Sequence, residues 1–228
     1  MKRILALVVA SAAFACGSDD PITVDLDFNA EIAGQALACD TEYSTAGAML
    51  ADARLFISEI ELMNSDGEWV DLDLDQETIW QHQNIALLDF ENGVGSCSSS
   101  GTTEMNGRVT GTLPEGDYDG LRFSVGVPFD QNHLDDATAP APLNSPGMFW
   151  AWQDGYKFLR VDWMPTGGDR WNVHLGSRAC DNGGNPNTAP PSSCGRSNRS
   201  QIEIESFSLG QDIAIDFFEL VENADITT

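Results

Sequence analysis

Val24-Asp25-Leu26-Asp27-Phe28 decides the fold, because apolar and acidic residues alternate along it one for one. Successive side chains of an extended strand point to opposite faces, so Val24, Leu26 and Phe28 share a buried face and the aspartates face water. Val70-Asp71-Leu72-Asp73-Leu74 and Ile202-Glu203-Ile204-Glu205 repeat the pattern. Further strands are expected over residues 54–62, 121–127, 157–163 and 212–218. Asn64-Ser65-Asp66-Gly67 reads as a hairpin turn, and Pro114-Glu115-Gly116-Asp117 and Pro165-Thr166-Gly167-Gly168 punctuate other strands. Helical periodicity is scarce. Residues 133–147 have room for a short helical turn, but Pro140, Pro142 and Pro146 argue for an irregular loop. The expected fold is all-β, a single-domain β-sandwich or distorted barrel-like sandwich with long irregular loops, no internal repeat and no second domain.

Met1-Lys2-Arg3 followed by the apolar run 4–14 reads as a bacterial export signal. The run is too short to span a bilayer, which takes roughly 20 apolar residues. Ala13-Phe14-Ala15-Cys16 resembles a lipobox, with Cys16 as the acylated first residue of the mature chain, although Ala13-x-Ala15 also satisfies an ordinary signal peptidase. Gly17-Ser18-Asp19-Asp20 then makes a polar tether. The expected organisation is an export signal over 1–15, a lipid-anchored tether over 16–22 and one domain over 23–228. This places the protein on the periplasmic or cell-surface side of the envelope, touching the membrane only through its lipid.

The 36 acidic residues outnumber the 11 basic ones, for a net charge of −25. Such a surface repels nucleic acid and anionic lipid head groups, and neither is an expected partner. The same field concentrates cations without locating a site for them.

Apart from Cys16 the cysteines are Cys39, Cys97, Cys180 and Cys194, and an even number in an exported chain argues for two disulfides. Four cysteines allow three connectivities. Cys180 and Cys194 flank a loop rich in Gly, Asn and Pro with little to pack, so a bridge across it is the most economical choice, leaving Cys39 with Cys97. Each bridge stabilises the fold by roughly 2–4 kcal/mol, mainly by restricting the unfolded chain. Thiolate metal ligation is the rival reading, but no Cys-x-x-Cys supports it.

Only three histidines exist, His82, His133 and His174. In Trp80-Gln81-His82, strand geometry sets an indole and an imidazole on the same face. Three imidazoles suffice for a metal site with one open position. The same pattern also describes a buried Trp beside a hydrogen-bonded His, and no His-x-His or His-x-x-x-His spacing decides between them. Calcium is chemically admissible in loops such as Leu134-Asp135-Asp136, but no EF-hand pattern supports it. Asp89 and Glu91 flank Phe90 with same-face spacing, but carboxylates are so plentiful that such a pair does not by itself mark a catalytic site. No Gly-x-Ser-x-Gly, phosphate loop or haem-attachment Cys-x-x-Cys-His occurs, and no ordered catalytic constellation stands out.

Trp80-Gln81-His82-Gln83-Asn84-Ile85-Ala86-Leu87-Leu88-Asp89-Phe90-Glu91 resembles the signature of the MbnP/CorA group of copper-binding proteins, the four-Cys-motif half of a metallo-mystery pair. Further matches follow in order: Gly126-Val127-Pro128-Phe129-Asp130-Gln131-Asn132-His133, Ala139-Pro140-Ala141-Pro142-Leu143-Asn144, Met148-Phe149-Trp150-Ala151-Trp152-Gln153, Gly155-Tyr156-Lys157-Phe158-Leu159-Arg160 and Val173-His174-Leu175-Gly176-Ser177. The resemblance runs from about Val24 to about Leu220. It implies an exported protein that holds copper through histidines, with His82, His133 and His174 as candidate ligands. It also implies that Trp80, two residues before His82, is oxidised to kynurenine by a partner di-haem peroxidase of the MauG or MbnH type. Imidazole donors favour Cu(I) and also accept Cu(II). The expected function is copper acquisition or storage by a lipoprotein that is not itself an enzyme. The alternative is a lipid-anchored β-sandwich serving adhesion or envelope structure, with structural histidines.

Overall fold

The computed structural model describes residues 20–43, 47–99, 101–165, 169–185, 187–220 and 222. The expected export signal, Cys16, most of the tether and residues 166–168 of one expected turn lie outside the described residues.

In chain order the strands are β1 (Ile22–Ile32), β2 (Gln35–Ala36), β3 (Glu42–Tyr43), β4 (Ala48–Asn64), β5 (Trp69–Asp71), β6 (Asp73–Leu74), β7 (Gln81–His82) and β8 (Ile85–Asp89). They continue with β9 (Arg108–Leu113), β10 (Tyr118–Val125), β11 (Phe149–Ala151), β12 (Gly155–Tyr156), β13 (Leu159–Pro165), β14 (Trp171–Leu175), β15 (Ser200–Ile204) and β16 (Ile213–Asp216). Two sheets stack face to face. The smaller runs β16-β1-β9-β6 with β2 on β1, and the larger runs β14-β13-β4-β10-β15 with β3, β5 and the β7–β8 hairpin attached. The inner face of β1, Val24, Leu26 and Phe28, packs against Leu55, Ile57, Leu121, Phe123 and Val161 of the larger sheet. Phe28 and Phe123 meet edge to face across the layers at 5.7 Å. The all-β sandwich read from the alternation at β1 is the fold, and it is not a closed barrel.

Both disulfides pair as expected, Cys39 with Cys97 and Cys180 with Cys194. The first is flanked by two reciprocal hydrogen bonds, Asp40 N–H to Ser96 Oγ at 2.8 Å and Ser96 N–H to Asp40 Oδ1 at 2.7 Å.

Three expected strands differ in detail. The run 70–74 is not one strand: β5 pairs with β4 in the larger sheet, β6 pairs with β9 in the smaller, and Leu72 between them donates its N–H to Ile60 O at 2.9 Å. The run therefore steps from one layer to the other while keeping Leu72 and Leu74 in the core between them. The strand expected over 54–62 is the middle of the 17-residue β4, buried on both faces for most of its length. Its second face is covered by the irregular segment 127–158 rather than by water. β15 is a largely exposed strand rather than a half-buried one, with Ile202 41% accessible.

That second face carries a separate apolar cluster of Phe56, Ile85, Leu87, Val127, Leu143, Met148, Tyr156 and Phe158, with Trp80, Leu134 and Phe149 packed against it. It is this layer, outside the sandwich core, that the histidine-bearing segments border. Residues 133–147 are the irregular loop their prolines imply, preceded by the single turn α1 (Phe129–Asn132).

Candidate metal centre

His82 ends β7 and pairs with Ile85, while Gln81 pairs with Ala86. The Trp80 carbonyl accepts the Leu87 N–H at 2.9 Å, continuing the ladder by one residue. Residues directly opposed in a ladder point to the same side of the sheet. Ile85 and Leu87 lie in the outer cluster and Ala86 in the sandwich core, so Trp80 and His82 face outward and Gln81 inward. Gln81 is clamped there: its Nε2 donates to Asp75 O at 3.0 Å and Thr110 O at 2.8 Å, and its Oε1 accepts the Thr110 N–H at 2.8 Å. The same-face placement of Trp80 and His82 is thus set by the residue between them. Trp80 also lines a cleft of about 290 Å³ together with Arg54, Leu87, Asp89, Pro142 and Pro146.

Register places His174 on that same outer face. Asp89, Arg54, Arg160 and His174 stand side by side across β8, β4, β13 and β14. Asp52 and Asp162 form the adjoining row. Arg54 grips Asp52 with Nε at 2.9 Å and Nη2 at 2.5 Å, and Arg160 bridges Asp52 at 3.1 Å and Asp162 at 2.7 Å. The Lys157 ammonium donates to Gly147 O at 2.8 Å, pinning the covering loop to this charged patch. His174 Nε2 donates to Asp162 Oδ1 at 2.7 Å, which leaves Nδ1 as its available donor to a ligand. Burial works to raise the Asp162 carboxyl, but its bonds to His174 and Arg160 outweigh that and hold it below the usual carboxylate range. Asp89 and Glu91 are buried at the edge of the patch, alternating with the core residue Phe90. Burial pushes Asp89 up to about 7 against the pull of Arg54.

His133 follows α1 and is buried. Its Nδ1 donates to Trp152 O at 2.8 Å, which fixes the tautomer with the lone pair on Nε2. Nε2 faces Asn132 Nδ2 at 3.3 Å and Cys194 Sγ at 3.6 Å. Burial lowers the His133 pKa, favouring the neutral imidazole that a metal needs.

Each ring therefore suits metal binding in its chemistry. His133 and His174 are oriented by an acceptor on one nitrogen, as ligand histidines commonly are, and the His82 ring makes no hydrogen bond among the described residues. The three do not converge on a point. Among the described residues, the group of three ligating side chains whose donor atoms lie within 4.8 Å of one another is His133, Cys180 and Cys194, and those two sulfurs are bonded to each other. Asp135 and Asp136 form no such group; Asp135 instead caps its own turn, its Oδ1 accepting the Ala137 N–H at 3.2 Å. Asp162 and the Trp152 carbonyl, which orient two of the histidines, were invisible in the sequence because both come from other segments. A residue two positions from Arg160 on a strand, opposite a histidine-bearing strand, is the only signal that would have pointed to Asp162.

No curated protein sequence matches the chain. Among solved structures the fold is similar to MbnP from Methylosinus trichosporium, with a TM-score of 0.80 and 29% sequence identity over 91% of this chain and 80% of that one. Residues 21–228 match the MbnP family, the whole of the sandwich described above and all three histidines included. The chain belongs to the MbnP family.

Proposed function

We propose that this protein is an exported copper-binding lipoprotein that acquires or stores copper through imidazole donors, and that Trp80 is the residue a partner di-haem peroxidase converts to kynurenine. The observation that carries the reading is the β7–β8 hairpin, where clamped Gln81 presents Trp80 and His82 together on the outer face. Copper, when bound, supplies a soft, redox-capable centre that imidazole nitrogens stabilise. His82 offers a ring without hydrogen bonds among the described residues, His174 an Nδ1 oriented by Asp162, and His133 an Nε2 oriented by Trp152. With peroxide as the oxidant that the partner peroxidase uses, the Trp80 C2–C3 bond is cleaved, C3 becomes a ketone, C2 leaves as formate, and an aryl amine remains on the same face as His82 as a further nitrogen donor.

The test is co-expression with a two-haem partner in copper-supplemented medium, followed by intact-mass and peptide analysis with metal quantification. The expected result is bound copper and modification confined to Trp80. A protein free of copper with an unmodified Trp80 next to an active partner overturns the reading and leaves the envelope-structural alternative.

A further inference from the structure

We propose that Cys180, Cys194 and His133 form a second, thiol-gated metal site, closed while the disulfide stands and opened when a dithiol reduces it, for a thiophilic closed-shell ion such as Zn(II) or Cu(I). The site goes beyond the copper reading, since its sulfur donors take no part in that reading and its gate is the redox state of one disulfide.

The geometry is preset on three sides. The His133 Nε2, Cys180 Sγ and Cys194 Sγ lie within 4.8 Å of one another. Zn–S bonds of about 2.3 Å and Zn–N bonds of about 2.0–2.1 Å at tetrahedral angles place a nitrogen and a sulfur ligand about 3.5 Å apart. His133 Nε2 stands 3.6 Å from Cys194 Sγ already. Its lone pair points that way because Nδ1 is committed to Trp152 O at 2.8 Å. The two sulfurs have to part, to about 3.8 Å by the same bond lengths and angles, and Cys180 Sγ, within 4.8 Å of His133, has to settle at the same nitrogen-to-sulfur spacing.

Reduction does not release the two cysteines from each other. The base of the 181–193 loop is held by backbone pairing independent of the sulfurs: Arg178 N–H to Arg196 O at 2.9 Å, Arg196 N–H to Arg178 O at 3.0 Å and Gly195 N–H to Ala179 O at 3.0 Å. The loop beyond is rich in Gly, Asn and Pro, so it follows a small separation of its ends at low cost. Cys194 is only half-buried, beside a small pocket of about 50 Å³ lined by Phe129, Asn132, Ser193 and Arg199, so its sulfur is open to a reductant from outside. Ser177 Oγ, 3.6 Å from Cys180 Sγ, flanks the fourth position.

The balance is simple. A dithiol transfers two electrons and two protons, the Cys180–Cys194 bond breaks to two thiols, and the dithiol becomes a disulfide. The ion then displaces both thiol protons to solvent and binds two thiolates and one imidazole. Cys39 and Cys97 have no histidine within such a group among the described residues, so their reduction creates no equivalent site.

The experiment compares oxidised protein with protein reduced by a water-soluble phosphine and desalted without oxygen, each titrated with Zn(II) and with Co(II) as a spectroscopic stand-in. The expected result is one additional Zn(II) in the reduced protein and thiolate-to-Co(II) absorption in the near ultraviolet. Bound Zn(II) should protect Cys180 and Cys194, but not Cys39 or Cys97, from alkylation in the wild-type chain, a readout that does not depend on any variant folding. His133→Gln should weaken the extra site at least tenfold, and Cys180→Ser with Cys194→Ser should abolish it, whereas His82→Ala should leave it intact and affect only the copper reading. Equal Zn(II) uptake by both forms, protection of Cys39 and Cys97 instead, or an unchanged site in His133→Gln overturns the proposal.

Discussion

The Leu87 N–H donates to the Trp80 carbonyl at 2.9 Å, which carries the β7–β8 ladder one residue beyond its ends and commits Trp80 to the side of the sheet that His82 occupies. The lock on this arrangement is Gln81, whose three hydrogen bonds fill a buried position between the sheets. Gln81→Leu keeps the volume, strands the Thr110 N–H and takes a donor from the Asp75 carbonyl, while the Thr110 carbonyl keeps the Asp75 N–H. We expect a loss of about 2–4 kcal/mol in urea unfolding, with a matching loss of copper affinity because the hairpin loosens. Unchanged stability would mean the amide is replaceable and the hairpin is held elsewhere.

Arg54 is buried between Asp52, which it binds through two nitrogens, and Asp89, which it faces across the β4–β8 ladder. Arg54→Met removes the cation facing Asp89 and leaves Asp52 with Arg160 alone in a dry site. The expected cost is about 3–5 kcal/mol, seen as a lowered denaturant midpoint with unchanged slope.

The stability of the protein should fall as pH rises across the titration of Asp89, which burial lifts from 3.8 to about 7. The folded state holds a proton that the unfolded chain has already released, so unfolding becomes easier by at most about 1.4 kcal/mol per pH unit in that window. Below the unfolded value both states are protonated and the effect vanishes. Asp89→Asn keeps the acceptor for the Glu91 N–H, removes the ionisation, and should lose less stability than the parent between pH 5 and pH 8 by about 1 kcal/mol or more. Parallel stability curves for the two proteins would refute this.

Gly155 has a φ of +74°, and a Cβ built there would lie 2.3 Å from the Asn132 carbonyl oxygen. Gly155→Ala combines backbone strain with a clash against the residue before His133. It should destabilise by about 1–3 kcal/mol and shift the His133 imidazole resonances more than those of His82.

How far the sequence reached depended on what each element faces. β1 was legible because one face meets water, so Asp25 and Asp27 alternate with core residues. β8 was not, since Ile85, Ala86, Leu87 and Leu88 are buried on both faces and a continuous apolar run carries no period. The β7–β8 turn escaped notice because Gln83, at a φ of 51°, takes a position where Asn or Gly is the usual signal. The cysteine pairing followed from loop economy alone. The histidines were legible as candidates, but their partners were not: Asp162 reaches His174 through strand register, and the Trp152 carbonyl reaches His133 through a loop, neither of which leaves a mark in local sequence.

Imidazole-held copper is the centre of this account, and a Cu(I) affinity titration of the parent against His82→Ala, His133→Ala and His174→Ala tests it most directly. The expected result is a single copper ion in the parent, at least a tenfold loss of affinity in His82→Ala, and circular dichroism unchanged. Copper binding as tight as the parent's in all three variants would place the metal elsewhere and contradict it.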